Sequence, residues 1–408
     1  MKKILLVIFL FLQVKLICGQ QYVWTQKANY GSGAIYDAFS FTVDSIAYVG
    51  TGVEVGPIFH TDFWKYNPQS NIWTQEANFP GAARYGSRTF TINYFGYVVT
   101  GYAGTAGYLN DLWEYDVALN IWNQNANFPG TARYNVTAFS INNFGYVGLG
   151  SVAGNTFFND FWKYDPLLDA WTQITNFPGA SRGAASDFVI NGFAYVGAGS
   201  NAILGLNFSD FYKFDPAANS WAMLSNFPGQ ARNAAFAFTI NNKGYLTQGY
   251  DFASGTQQTL YNDFWEYNPI GDLWTQLPDF PDKKRYEGIY FSIGNKGYIG
   301  LGCDTVPWNI HFMNDLWEYA PSTNGINNLQ LSGNDIKVYI TKNNILKIDF
   351  LKIADKNFVI KIFDLNGKII YTSILNFEIN LNKQSKGIYL YEINFKNKIL
   401  KTGKFNLY

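Results

Sequence analysis

Asn159-Asp160-Phe161-Trp162-Lys163-Tyr164-Asp165-Pro166 leads into Trp171-Thr172-Gln173, then Asn176-Phe177-Pro178-Gly179, then Arg182, then Tyr195-Val196-Gly197-Ala198-Gly199. The same series returns along the chain. Its first aromatic falls at Trp64, Trp113, Trp162, Tyr212, Trp265 and Trp317, and its second at Trp24, Trp73, Trp122, Trp171, Trp221 and Trp274. Arg84, Arg133, Arg182, Arg232 and Arg285 share one slot, held in the first copy by Ile35. Gly52, Gly101, Gly150, Gly199, Gly249 and Gly302 close the series. A repeat of about 50 residues marks units that stack, because none can bury its apolar face alone.

Each unit holds four strand-sized pieces, here a to d. Phe188-Val189-Ile190 and Ala194-Tyr195-Val196-Gly197 flank Asn191-Gly192, the turn of a tight hairpin. Asp160–Asp165 carries aromatics on both faces, as a strand held between two sheets requires. Asp165-Pro166 then turns the chain into the strand of Trp171. Four antiparallel strands per unit predict the blade of a propeller. The chain opens on a lone d strand at Trp24-Thr25-Gln26 and ends its repeats on a lone c strand at Asp315–Tyr319. Six complete blades therefore need the N-terminal strand to finish the last one, which also removes the open edges of the ring.

The spacings indicate where function belongs. From the second aromatic to the next Arg slot the gap is 11 residues, and from there to the closing glycine 17, in every unit. Only the stretch from that glycine to the next first aromatic varies, from 12 to 16 residues. This is the b–c loop, and insertions confined to one face of a repeat protein mark its expected binding surface.

These landmarks resemble kelch repeats over roughly residues 22–320, with Gly-x-Gly, as in Gly148-Leu149-Gly150, where adjacent glycines are common. The resemblance implies an all-β, six-bladed kelch-type β-propeller. Beyond Asn324-Gly325-Ile326 the pattern stops, and Ile336–Ile340, Ile345–Phe350, Phe358–Leu365, Lys368–Tyr371, Phe377–Leu381, Gly387–Phe395 and Ile399–Asn406 alternate apolar with polar residues. Seven short strands predict a small C-terminal β-sandwich. Val359–Lys368, Lys386-Gly387-Ile388-Tyr389-Leu390 and the final Lys404-Phe405 resemble the C-terminal sorting domain of the type IX secretion system of Bacteroidetes, although no Pro-Asn-Pro stands near its start. The resemblance implies the type IX machinery as a partner, engaged through residues 330–408, and a secreted or outer-membrane-surface location. Met1-Lys2-Lys3 and the apolar run Ile4–Leu12 have the layout of a signal peptide, too short for a lasting transmembrane helix. The expected division is signal 1–19, propeller 20–325 and sandwich 326–408, with no transmembrane segment once the signal is cleaved.

A net charge of zero hides an uneven distribution. Residues 20–325 hold 14 Lys and Arg against 24 Asp and Glu, whereas residues 326–408 hold 13 Lys against 6 acids. An acidic propeller argues against a nucleic-acid partner. Only Cys303 remains after signal cleavage, so packing alone must stabilise an exported fold.

The repeated acids Asp62, Asp111, Asp160, Asp210, Asp263 and Asp315 precede c strands, where carboxylates commonly tie turns together, and six copies fit structure better than a single active site. The repeated arginines admit two readings: an Arg–Asp latch between neighbouring blades, favoured here, or the lining of a ligand pocket, as in some kelch proteins. The non-repeating chemistry lies in the b–c loops. Glu54, His60, Tyr108, Asp251, Trp308 and His311, with Arg182 and Arg232, form the candidate ligand-binding set, since rings beside carboxylates are what sugar or peptide recognition requires. His60, His311 and Cys303 resemble part of the copper site of kelch-type galactose oxidase, but Phe59 and Ile310 stand where one of its tyrosines would precede a histidine ligand. No metal or cofactor is expected, and no Gly-x-Ser-x-Gly elbow or phosphate loop is present. The expectation is an exported binding or adhesion propeller for a glycan or protein. The alternative, implied by the kelch resemblance, is a sugar epimerase of the sialic acid mutarotase kind.

Overall fold

The computed structural model describes residues 22–54, 56–152, 156–252, 258–306, 309–321, 336–341, 344–350, 358–374, 378–395 and 398–407. The expected signal at 1–19 and Trp308 lie outside them. Two compact units result, one spanning Val23–Ala320 and the other lying beyond Ala320.

The first unit contains six four-stranded antiparallel sheets. Their inner strands, in blade order, are Phe39–Val43, Arg88–Ile92, Thr137–Ile141, Ser186–Ile190, Phe236–Ile240 and Ile289–Ile293. Each inner strand touches the next in that order and the sixth touches the first, so the ring is closed. Closure uses the phase of the repeat. Tyr22–Gln26 lies beside Leu316–Pro321 as the outermost strand of the sixth sheet, and the Lys27 N–H donates to the Leu316 carbonyl at 2.8 Å. Trp24 packs 4.9 Å from Tyr319, centroid to centroid, and edge-on against Phe280 of the fifth blade at 5.0 Å.

Aromatic rings fill the spaces between blades. Phe139, Phe161 and Phe177 of the third meet Phe214 and Trp221 of the fourth in one buried cluster, with Trp221 centred 5.1 Å from Phe161 and 5.3 Å from Phe177. The inner-strand phenylalanine of one blade lies over the second strand of the next, which must therefore be thin. A Cβ on Gly145 would come within 2.4 Å of the Phe90 ring. Inner strands are also joined by hydroxyls: Ser40 Oγ donates to the Tyr290 carbonyl at 3.0 Å and Thr239 Oγ1 to that of Val189 at 3.1 Å.

The second unit has seven described strands, in a three-stranded sheet (Ile336–Ile340, Ile345–Phe350, Glu378–Asn380) and a four-stranded sheet (Phe358–Phe363, Ile369–Ile374, Gly387–Phe395, Lys398–Leu407). Leu346, Ile348 and Ile379 of the first join Ile360, Ile362, Ile393 and Leu407 of the second in one buried core.

Candidate functional site

The repeated arginine and aspartate form a clasp. Arg182 is wholly buried, and its Nη1 and Nη2 donate to the two oxygens of Asp210 at 2.6 and 2.8 Å. Nε donates to the Ala180 carbonyl and Nη1 also to that of Ala198. The Phe177 and Phe208 rings cover the guanidinium at 4.9 and 4.0 Å. Arg84–Asp111, Arg133–Asp160, Arg232–Asp263 and Arg285–Asp315 repeat the two-pronged arrangement. Burial by itself would raise the carboxyls of Asp263 and Asp315, but the hydrogen bonds and charge of their arginines hold both below the ordinary range.

The latch differs in detail from a side-chain bridge between blades. Each guanidinium clasps the aspartate of the blade it leads into, while its own carbonyl accepts from the closing glycine of the blade it leaves, as Gly150 N–H does to Arg182 at 2.9 Å. The link across blades is thus carried by the backbone. Ile35 keeps that half, accepting from the Gly302 N–H. It has no guanidinium to offer, so Asp62 keeps only the indole bond found in the other tryptophan-bearing blades, from Trp64 at 2.8 Å, with His60 Nδ1 3.4 Å from its Oδ1.

Each b–c loop carries a short hairpin that bridges the residue just before the inner strand, pairing Tyr36 with Val53, Tyr85 with Tyr102, Tyr134 with Ser151, Gly183 with Ser200, Asn233 with Tyr250 and Tyr286 with Cys303. The axial mouth on this face is therefore lopsided. A crescent runs from Phe312, stacked on Tyr36 at 5.0 Å, through Tyr85 and Tyr102 to Tyr108 and Tyr134, with neighbouring rings 4.9 to 6.1 Å apart. Opposite it, Gly183 pairs with Ser200 and Asn233 with Tyr250, and Ser200 and Asn233 are buried.

Below the mouth the axis narrows to a ring of six equivalent residues: Asp37, Gly86, Asn135, Ala184, Ala234 and Glu287. All are left-handed, with φ between 50° and 68°. This conformation costs a non-glycine residue about 1–3 kcal/mol, offset here by hydrogen bonds from one blade to the next. Asp37 N–H donates to the Glu287 carbonyl, Gly86 to Asp37, Asn135 to Gly86, Ala184 to Asn135 and Ala234 to Ala184. Gly86 is required by its neighbours as well, since a Cβ there would sit 2.9 Å from Tyr134 and 3.2 Å from Asp37 Oδ2.

The throat gathers charges that the repeat does not predict. Arg88 Nη1 donates to Asp37 Oδ1 at 3.2 Å, while Asp37 Oδ2 is buried without a hydrogen-bond partner. Burial, reinforced by the Asp37 charge and partly relieved by Arg88, pushes the Glu287 carboxyl up to about 8. Burial likewise pushes Asp187 up to about 7 against the pull of Arg88. Beyond the ring, Arg88, Asp187 and Tyr290 join serine and threonine side chains of the inner strands around a cavity of about 310 Å³.

The sequence-derived set is dispersed by the fold. Tyr108 stands in the crescent, its ring 4.9 Å from Tyr102. Glu54 and His60 flank the incomplete first clasp, 3.7 Å apart. Asp251 accepts from the Tyr261 hydroxyl at 2.7 Å, and His311 is exposed on its hairpin beside Asp304. Arg182 and Arg232 have no exposed surface and face their aspartates. Residues not singled out from the sequence, namely Asp37, Arg88, Asp187, Glu287 and the tyrosines Tyr36, Tyr85 and Tyr134, occupy the axis and its mouth. A signal for them was present: inner-strand slots face the channel, and charged residues break the repeat there.

Six antiparallel sheets ranged around an axial channel define a β-propeller. Residues 38–230 match the KLHDC2/KLHL20/DRC7 Kelch-repeats domain, and residues 342–406 match the Secretion system C-terminal sorting domain. The chain is a kelch-repeat propeller protein with a type IX sorting tail. No curated protein matches the sequence. Among solved structures, that of YjhT shares the fold with a TM-score of 0.61 at 15% identity, covering 78% of this chain and 99% of that one. The tail indicates export by the type IX machinery, with the product secreted or attached to the cell surface. Among the described residues, no helix is long and apolar enough to cross a membrane.

Proposed function

We propose that this exported propeller is a glycan-binding protein that takes its ligand at the axial mouth on the b–c face. The crescent of Tyr36, Tyr85, Tyr102, Tyr108 and Tyr134 at the mouth carries the reading. Tyrosine rings stack on the apolar faces of sugars, and their hydroxyls offer hydrogen bonds that fix orientation. A glycan array followed by titration tests it. Saturable binding should weaken at least tenfold in Tyr85→Ala and be unchanged in His311→Ala. A silent array, or binding indifferent to Tyr85, overturns the reading.

A sugar epimerase is favoured by one observation, the throat carboxyls Glu287 and Asp187, whose raised pKa values suit proton transfer near neutral pH. It requires faster exchange of sugar anomers in NMR spectra, lost in Glu287→Gln. Saturable binding without exchange decides for the binder.

A further inference from the structure

We infer that the throat selects a cationic group on its ligand, and that the glycan recognised at the mouth is an amino sugar presenting a free ammonium to Glu287 and Asp37. The inference rests on the glycan reading above and adds the chemical class of the sugar.

Three observations converge. Asp37, Asp187 and Glu287 stand near the axis with Arg88, which donates to Asp37 Oδ1, so carboxyls outnumber cations there. Two acceptors of the ring are also buried without a partner, Asp37 Oδ2 and the amide oxygen Asn135 Oδ1, their residues 1% and 7% exposed. The ring residues share one backbone conformation and are joined from blade to blade by backbone hydrogen bonds, which brings Asn135, Asp37 and Glu287 into one ring. A buried acceptor needs a donor, and an ammonium supplies three donors and no acceptor. The tyrosines over the ring add the third observation, because an organic cation gains from aromatic faces as a bare metal ion does not. An anionic sugar would oppose ionisation of these carboxyls, and a neutral one would supply no charge to draw the proton from Glu287.

The groups facing Glu287 are Asp37 and Arg88, Tyr286 and Cys303 of its own blade, Tyr250 of the fifth, and Tyr36, Tyr85 and Tyr134 across the mouth. Burial raises the tyrosines and Cys303 far above neutrality, so Glu287 and Asp187 are the groups that change charge near pH 7 to 8. An incoming cation favours their ionised forms and releases protons.

The full-length mature protein should be titrated with a glucosamine hexamer and with the same hexamer fully N-acetylated, which keeps the sugar and removes the charge. The amine form should bind at least tenfold more tightly, and Glu287→Gln should erase that difference. Equal binding of the two, or preference for the acetylated form, overturns the inference and leaves the glycan reading standing. Silence of both hexamers overturns it too, and a silent glycan array beside them removes the glycan reading as well. A measurement on the unmutated protein guards against a variant that misfolds. A derivative of the hexamer carrying primary alkylammonium groups, which keep three N–H donors and stay charged below about pH 9, should gain affinity by up to roughly tenfold per pH unit from pH 6 to pH 8; affinity flat over that range overturns the proposal.

Discussion

Glu287 and Arg182 show how one chain uses buried charge in two ways. Glu287 holds its proton in the folded state up to about pH 8, whereas in the unfolded chain it loses it near the ordinary value of about 4.3. The native state therefore binds more protons in between, and this contribution is full below the unfolded pKa and lost as pH rises through 8. Glu287→Gln removes that dependence. Measured by thermal unfolding, the variant should gain on the parent from pH 5 to about pH 8 and level off above it. Asp263 and Asp315 act with the opposite sign. Their folded pKa values are depressed, so the stability they supply is present above about pH 4 and lost as pH falls through their folded values. For Arg182 the prediction is structural. Asp210→Asn strands a guanidinium with no exposed surface, a change that costs about 3–5 kcal/mol when one partner of a buried pair is removed. Denaturant unfolding should show that loss while ligand affinity per folded molecule stays unchanged; a stable variant with weakened binding would return Arg182 to the ligand site.

At the scale of the strand, the repeat was legible because each landmark does the same job in every blade. The tryptophans, the clasp aspartates and the closing glycines recur because every interface between sheets must be filled and tied alike. Gly145 illustrates the tolerance involved. A Cβ there would fall 2.4 Å from Phe90, so Gly145→Val should lower stability by about 1–3 kcal/mol through overpacking, read as a drop in melting temperature. The candidate site was less legible for the same reason. Sequence comparison among the repeats drew attention to the b–c loops, where length varies. The inner strands keep their length and change only their residues, so Asp37, Arg88, Asp187 and Glu287 passed as ordinary strand positions.

For the whole molecule, closure and export are the two consequences. The ring is completed by Tyr22–Gln26 lying against Leu316–Pro321, which gives the sixth blade its fourth strand. Deleting residues 20–30 removes Trp24 from its place beside Phe280 and Tyr319, and the melting temperature should fall markedly; an unchanged value would mean the ring does not depend on that strand. For export, a fluorescent reporter carrying residues 320–408 should leave a type IX-competent cell and should stay inside a strain lacking that machinery.

By itself the sequence determined the repeated sheets, the ring closed by its first strand, and the sorting tail, because each follows from spacing and composition that any copy must obey. Only the tertiary structure decided what the arginines and the axis do. Whether a guanidinium faces a carboxylate or a ligand depends on which loops meet around it, and the charges of the throat come from separate inner strands that sequence distance holds apart and the ring brings together.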